Sequence, residues 1–261
     1  MVRPTAFRDR IERLYEDFFA DPLFREFVGN SGYANYGLWD DTTDSGRAAC
    51  DRMVDHLIAP IEAGDGRVLD VACGQGGTTE RLGHHFSPDR VVAINLATSQ
   101  LRATGERAPD AQRARMDAAA LGFADRTFDA VVCIEAAFHF ETREDFLREA
   151  FRVLRPGGTL ALADIIARSR AGRIPHANMV RDLDEYRAVL ERTGFVDVRL
   201  EDRTTETWDR FRREYASFAW ARANVSQAVR SVPKIPWLLW RYLVTQRAIQ
   251  SYFLGWARVP D

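Results

Sequence analysis

The sequence lacks the features that would mark a secreted, membrane-spanning or nucleic-acid-binding protein. Its three cysteines, Cys50, Cys73 and Cys133, are odd in number and widely spaced. They exclude a disulfide framework, lack metal-ligand spacing, and point to a reducing, cytoplasmic setting. There is no run of about twenty uncharged apolar residues. The nearest, Pro236-Trp-Leu-Leu-Trp-Arg-Tyr-Leu-Val244, is short and carries Arg241, so no stable membrane insertion is expected. The first ten residues contain no apolar segment and do not read as a secretory signal. Neither charge is in excess: 36 basic against 38 acidic residues leave −2, which gives no case for a nucleic-acid partner. Lysine is scarce beside arginine, a mark of genome composition rather than of function. Internal repeats and low-complexity linkers are also missing.

What remains is 261 residues, 46% apolar and 28% charged, enough for one or two domains with a sizeable core. The first sixty residues read as helical. Apolar residues recur at three- and four-residue spacing from Phe7 to Phe19, and a second helix is expected from Ser45 to Ala59. From residue 67 the pattern changes. Apolar runs at Arg67–Ala72, Arg90–Ile94, Phe128–Ile134 and Thr159–Ile166 alternate with helical segments at Thr78–Phe86, Ser99–Glu106 and Glu144–Leu154. That alternation predicts an α/β fold with a parallel sheet of strands buried on both faces. A helix at Leu183–Thr193, a strand near Val196–Glu201, a helix from Trp208 to about Ala223 and a last strand over Gln250–Val259 complete the reading. The expected organisation is an N-terminal helical lid (1–60), a core (61–204 and 249–261), and an aromatic-rich helical cap inserted at 205–248.

The most informative segment is Val68-Leu-Asp-Val-Ala-Cys-Gly-Gln-Gly-Gly77, a strand running through a glycine-rich turn into a helix. In open α/β sheets, ligands bind outside the carboxyl ends of strands, where glycines allow close approach and a helix N-terminus favours an anion. Thr79 stands where the dinucleotide fingerprint needs glycine. Polar residues also end the later strands: Asn95 is placed for a ribose hydroxyl, Asp117 for an adenine amino group, and Glu135 follows the fourth run. Taken singly, Asp70 is equally a loop support, Asp117 a helix cap and Gln100 plain surface.

Asp70-x-Ala-x-Gly-x-Gly76, Asn95-Leu-Ala-Thr-Ser-Gln100, Asp117-Ala118, Phe128-Asp129 and Leu154-Arg-Pro-Gly-Gly158 together resemble class I S-adenosylmethionine-dependent methyltransferases, strongly over residues 65–201. The resemblance implies a Rossmann-like, doubly wound seven-stranded sheet with an antiparallel last strand. It implies S-adenosyl-L-methionine as cofactor and S-adenosyl-L-homocysteine as product. Asp70, Ala72 and Gly74 would line the methionine part, Asn95 and Gln100 would hold the ribose, and Asp117 with Ala118 the adenine, with Leu96 also cofactor-binding. Glu135 and Tyr33 join the same group. Ala72 replaces the first loop glycine and Asn95 the usual acidic residue of the family.

For a hydroxyl acceptor a base is useful, and the candidate is His139 in Glu135-Ala-Ala-Phe-His-Phe140, since an imidazole accepts a proton near neutral pH. Asp164, read as the end of the next strand, would assist His139 or act as base itself. The open alternatives are a histidine set among core phenylalanines and a strand-end cap. His56, His84, His85 and His176 sit in helical or loop settings and are not candidates. Tyr33-Ala-Asn-Tyr-Gly-Leu-Trp39 resembles the N-terminal aromatic segment of the subgroup acting on lipids, polyketides and sugars. Asn35 and Tyr36 of that segment are expected at the acceptor with Tyr33 beside them, and Phe138 is a further acceptor-binding candidate. Trp208, Phe211, Tyr215, Phe218, Trp220, Trp237, Trp240 and Tyr242 would line an apolar pocket, or else form a packed cap or homodimer interface. The expected activity is O-methylation of a small, fairly apolar acceptor such as a secondary metabolite or lipid. C- or N-methylation, and a cyclase that retains the cofactor, are the alternatives. No metal is expected, because no carboxylate cluster accompanies Asp164.

Overall fold

Continuous apolar runs cannot leave either face of a strand in water, so the sheet they form must be covered on both sides. The computed structural model describes residues 6–62, 64–168, 174–226 and 249–261. Seven strands form one sheet: β1 (Val68–Val71), β2 (Val91–Asn95), β3 (Gln112–Arg115), β4 (Phe128–Ile134), β5 (Leu154–Ala167), β6 (Val196–Asp202) and β7 (Ile249–Arg258). Their order is β3-β2-β1-β4-β5-β7-β6. The first five are parallel, and β7 runs antiparallel between β5 and β6. The expected seven-stranded sheet with its reversed last strand is what the chain forms.

The described helices are α1 (Ala6–Phe19), α2 (Pro22–Phe27), α3 (Gly46–Ile58), α4 (Gly77–Leu82), α5 (Thr98–Arg107), α6 (Arg143–Val153), α7 (Leu183–Thr193) and α8 (Arg210–Ser226). Side chains alternate across each strand and divide the core into two layers. Val68, Val132, Tyr252 and Leu254 pack with Met53, Val54 and Leu57 of α3. Their sequence neighbours Leu69, Val131 and Phe253 pack on the opposite face with Phe146 and Leu147 of α6 and Tyr186 and Leu190 of α7. Caps fix the helix ends: Ser45 Oγ accepts from Ala48 N at 3.2 Å, and Asp182 Oδ1 accepts from Glu185 N at 2.9 Å.

Two local details differ from the sequence reading. α2 was not anticipated, although Asp21-Pro22 carries its start signal: the Asp21 carboxylate accepts from Leu23 N at 2.9 Å, and Pro22 occupies the first turn. α4 stops at Leu82 rather than Phe86, where Gly83 and a following turn close the helix. The aromatic residues read as acceptor-pocket candidates mostly serve packing. Tyr36 lies 4.8 Å from both Trp208 and Phe211, and Phe27 lies 5.2 Å from Tyr215 and 5.4 Å from Phe218. The packed-cap alternative therefore describes the start of the insertion, with Trp220 left exposed. Trp237, Trp240, Tyr242, and with them the later half of the inserted segment, lie outside the described residues.

Candidate active site

The chain lays down β1, β2 and β3 in one direction and then returns to place β4 on the other side of β1. The crevice at such a reversal is where open α/β sheets bind ligands. A cleft of about 1060 Å³, its open mouth included, lies there. Two non-glycine residues hold left-handed backbone at its floor: Ala72 after β1 (φ 60°) and Glu135 after β4 (φ 52°). Such conformations persist only where the surroundings enforce them, and they turn the chain sharply out of the sheet.

One half of the cleft is lined by Ala72, Gly74, Asn95, Leu96, Gln100, Asp117 and Ala118, all anticipated from the sequence. Gly74 has φ 57°, and a Cβ there would stand 3.0 Å from the Phe19 ring. The glycine keeps the turn thin where α1 crosses it. Asn95 Nδ2 donates to Gln100 Oε1 at 2.9 Å, and Asn95 Oδ1 accepts from Ala97 N at 3.2 Å. Asp117 Oδ1 accepts from Ala119 N at 3.0 Å. Polar atoms at the strand ends thus flank an apolar slot formed by Ile94, Leu96, Met116 and Ala118. A thin glycine turn, two amides for ribose hydroxyls and a carboxylate beside an apolar slot for a base fit S-adenosylmethionine.

In the other half, His139, Phe140 and Glu141 line the cleft after β4, and α1 crosses the whole cleft, with Ile11, Glu12, Tyr15 and Phe19 on its wall. The Tyr15 ring meets the His139 ring edge-on at 5.7 Å, and the Tyr15 hydroxyl donates to the Glu135 carbonyl at 3.4 Å. The Glu135 carboxylate accepts from Tyr36 N and from the Tyr252 hydroxyl, both at 2.7 Å. Burial raises its pKa to about 8, against the two hydrogen bonds, which favour the charged form. Burial likewise raises the Tyr15 phenol well above its ordinary value.

Several anticipated residues sit elsewhere. Asp70 is 2% exposed and does not line the cleft; it accepts from Thr79 Oγ1 at 2.6 Å and braces the turn from within. Its burial raises its pKa to about 7. Asp164 is fully buried behind the cleft wall, 3.0 Å from Arg143 Nε, and accepts from the Tyr186 hydroxyl at 2.9 Å. The reason is that β5 continues three residues past it, so its side chain lies inside a layer and not at a strand end. Phe138 and Tyr36 are taken up in core packing and are not on the cleft wall. Asn35 and Tyr33 do line it, but Asn35 Oδ1 accepts from Gly37 N at 3.0 Å and the Tyr33 hydroxyl donates to Asp51 at 2.7 Å. Gly77 is needed by the protein itself: a Cβ there would fall 2.7 Å from the Tyr33 ring. Sequence reasoning missed Tyr15, Glu12 and Tyr252. The first two lie on the apolar-periodic stretch of α1, whose spacing marks a buried face without saying what it faces.

A parallel sheet with this reversal, a glycine turn and polar strand ends defines an α/β enzyme that binds a nucleoside cofactor. Comparison with known proteins sharpens the class. The family described as "Methyltransferase domain" matches residues 69–162. The chain is 31% identical to 27-O-demethylrifamycin SV methyltransferase of Amycolatopsis mediterranei over the full length of both. It is 33% identical to erythromycin 3''-O-methyltransferase of Saccharopolyspora erythraea, over 79% of this chain and 75% of that one. Among solved structures, the 4+2 cyclase SpnF superposes with a TM-score of 0.74 at 22% identity, covering 100% of this chain and 98% of that one. Geranyl diphosphate C-methyltransferase of Streptomyces coelicolor gives 0.71 at 17%, covering 99% of each. These two likenesses concern the fold. The chain belongs to the S-adenosylmethionine-dependent methyltransferases.

Proposed function

We propose that this enzyme methylates a hydroxyl of a small, fairly apolar acceptor, a secondary metabolite such as a polyketide or a lipid, with His139 as the base. The observation that carries the reading is the position of His139. Its imidazole lines the cleft opposite the amide and carboxylate cluster at the strand ends, against the apolar face of α1. Bound in the first half, S-adenosylmethionine supplies a sulfonium methyl group, which is electrophilic without further activation. Gly74, Asn95, Gln100 and Asp117 hold and orient the cofactor. Ile11, Tyr15 and Phe19 of α1 cover the cleft and exclude water, and the His139 imidazole nitrogen takes the hydroxyl proton. Positioning supplies most of the acceleration, because it converts an encounter between two molecules into a step within one complex.

The acceptor class is further supported by the relatives, whose names specify methylation of a demethylrifamycin and of erythromycin. The three cysteines are free and buried, in keeping with a cytoplasmic location. No described helix is long and apolar enough to cross a membrane. The N-terminal segment and the inserted segment would act together as lid and cap.

The test is incubation with S-adenosylmethionine and a panel of hydroxylated polyketides, sugars and lipids. Released S-adenosylhomocysteine and an O-methyl signal in the product are the expected result. A product methylated on carbon or nitrogen overturns the hydroxyl assignment. A transformed acceptor with no S-adenosylhomocysteine favours the cyclase alternative.

A further inference from the structure

We infer that Asn178, Arg143 and Asp164 form a buried frame that holds the backbone on both sides of His139, making them positioning residues for turnover. This rests on His139 as the base. His139 closes a turn of three residues, Ala137–His139, in which its N–H donates to Ala136 O at 2.9 Å. So short a turn has little rigidity of its own. Its flanking carbonyls are gripped from outside: Asn178 Nδ2 donates to Phe138 O at 3.2 Å and to Phe140 O at 2.7 Å. Asn178 is itself fixed by Arg143. Arg143 N donates to Asn178 Oδ1 at 2.6 Å, and Arg143 Nη1 donates to Asn178 O at 2.9 Å. The guanidinium is fixed in turn by Ile165 O at 3.3 Å, by Asp164 Oδ2 at 3.0 Å and by the Tyr186 ring 4.8 Å below it.

Asn178, Arg143 and Asp164 are 2%, 4% and 0% exposed, and none of them lines the cleft. They therefore act on the reaction only through the turn. A buried ion pair adds little stability over well-packed apolar residues, so its presence calls for another explanation, and fixing one geometry is the best attested. The geometry fixed here is that of the only histidine on the cleft wall among the described residues. Displacement of a reacting group by about 1 Å costs on the order of a hundredfold in rate, so a frame of this kind has a kinetic consequence.

The test compares Asn178→Ala and Asn178→Asp with wild type and His139→Ala. Asn178→Asp keeps the acceptor for Arg143 and places a charge beside it, so it retains the fold if the alanine variant does not. The first readout needs no acceptor: the ring proton resonances of the five histidines, with His139 assigned by its loss in His139→Ala. In both Asn178 variants the His139 resonance is expected to move and broaden while those of His56, His84 and His85, on other elements, stay in place; His176 shares the turn of Asn178 and is not used as a control. The second is S-adenosylhomocysteine release with 27-O-demethylrifamycin SV as probe acceptor. Here kcat is expected to fall about tenfold, with cofactor Kd and the acid limb of the pH profile unchanged. An unmoved His139 resonance overturns the frame, as does loss of cofactor affinity in step with kcat. A fully active His139→Ala enzyme overturns the base assignment and the frame with it. An impaired His139→Ala beside an unimpaired Asn178→Ala overturns the frame alone.

Discussion

The two halves of the cleft are built by different means. At the ends of β2 and β3, polar side chains are held by partners close in sequence: Asn95 by Ala97 and Gln100, two and five residues away, and Asp117 by Ala119, two residues away. In the acceptor half the partners are remote. Glu135 is held by Tyr36, 99 positions away, and by Tyr252, 117 positions away, while Asn178 reaches Phe138 across 40 positions. One half is a local unit of strand ends and adjoining turns. The other is gathered from the whole chain and exists only when the sheet, the N-terminal segment and β7 are all in place. Cofactor affinity should therefore depend on few residues, and turnover on many.

The sharpest way to break this contrast is His139→Ala. It should lower kcat on the order of a hundredfold or more, the range of general-base catalysis, while leaving cofactor affinity within about twofold of wild type by calorimetry. Loss of cofactor binding in that variant would merge the two halves. Asp117→Ala is the converse. Removing one hydrogen-bonding carboxylate, worth about 1.5–3 kcal/mol, should weaken cofactor Kd roughly tenfold to a hundredfold, with kcat at saturation unchanged. Next comes Tyr252→Phe. It deletes the hydroxyl donor to the buried Glu135 carboxylate and should cost about 1–3 kcal/mol in denaturant unfolding, with cofactor Kd unaltered.

A further contrast lies in the pH dependence of stability. Glu135 is raised from 4.5 to about 8 in the folded protein, chiefly by burial. Between those values the folded state binds more protons than the unfolded state, so stability falls as pH rises through the window. Glu135→Gln, which cannot ionise, should flatten that fall in thermal melts from about pH 5 to 8. A variant with the wild-type slope would place the titrating group elsewhere, Asp70 being the next candidate by the same sign.

The local and remote halves were also unequally legible in the sequence. Ala72, Asn95 and Leu96 lie at the ends of apolar runs that read as strands, whereas Gly74, Gln100, Asp117 and Ala118 were legible through the motifs that resemble the family. The parallel part of the sheet was legible because burial on both faces leaves a continuous apolar signature; the reversed last strand was legible only through the resemblance to the family. Asp70 and Asp164 were misplaced because they lie within strands, where alternation sends a side chain to one face or the other and the sequence does not say which face adjoins the cleft. Tyr15 and the cap aromatics were recognisable as apolar. Whether they met a ligand or each other depended on helix-to-helix contacts that no spacing encodes.

The position of β7 between β5 and β6 has a consequence for the order of synthesis. β5 pairs with β7 from Thr159↔Arg258 to Ala167↔Ile249, and β6 joins the sheet only through β7. During translation, residues 6–202 emerge with the flank of β5 open, β6 without a neighbour, and Glu135 without Tyr252. The Ala97, Gln100 and Ala119 partners of Asn95 and Asp117 are all made by residue 119, whereas Glu135 waits for a strand made more than a hundred residues later. β7 is therefore the strand whose late arrival both closes the sheet and supplies the Tyr252 hydroxyl to Glu135.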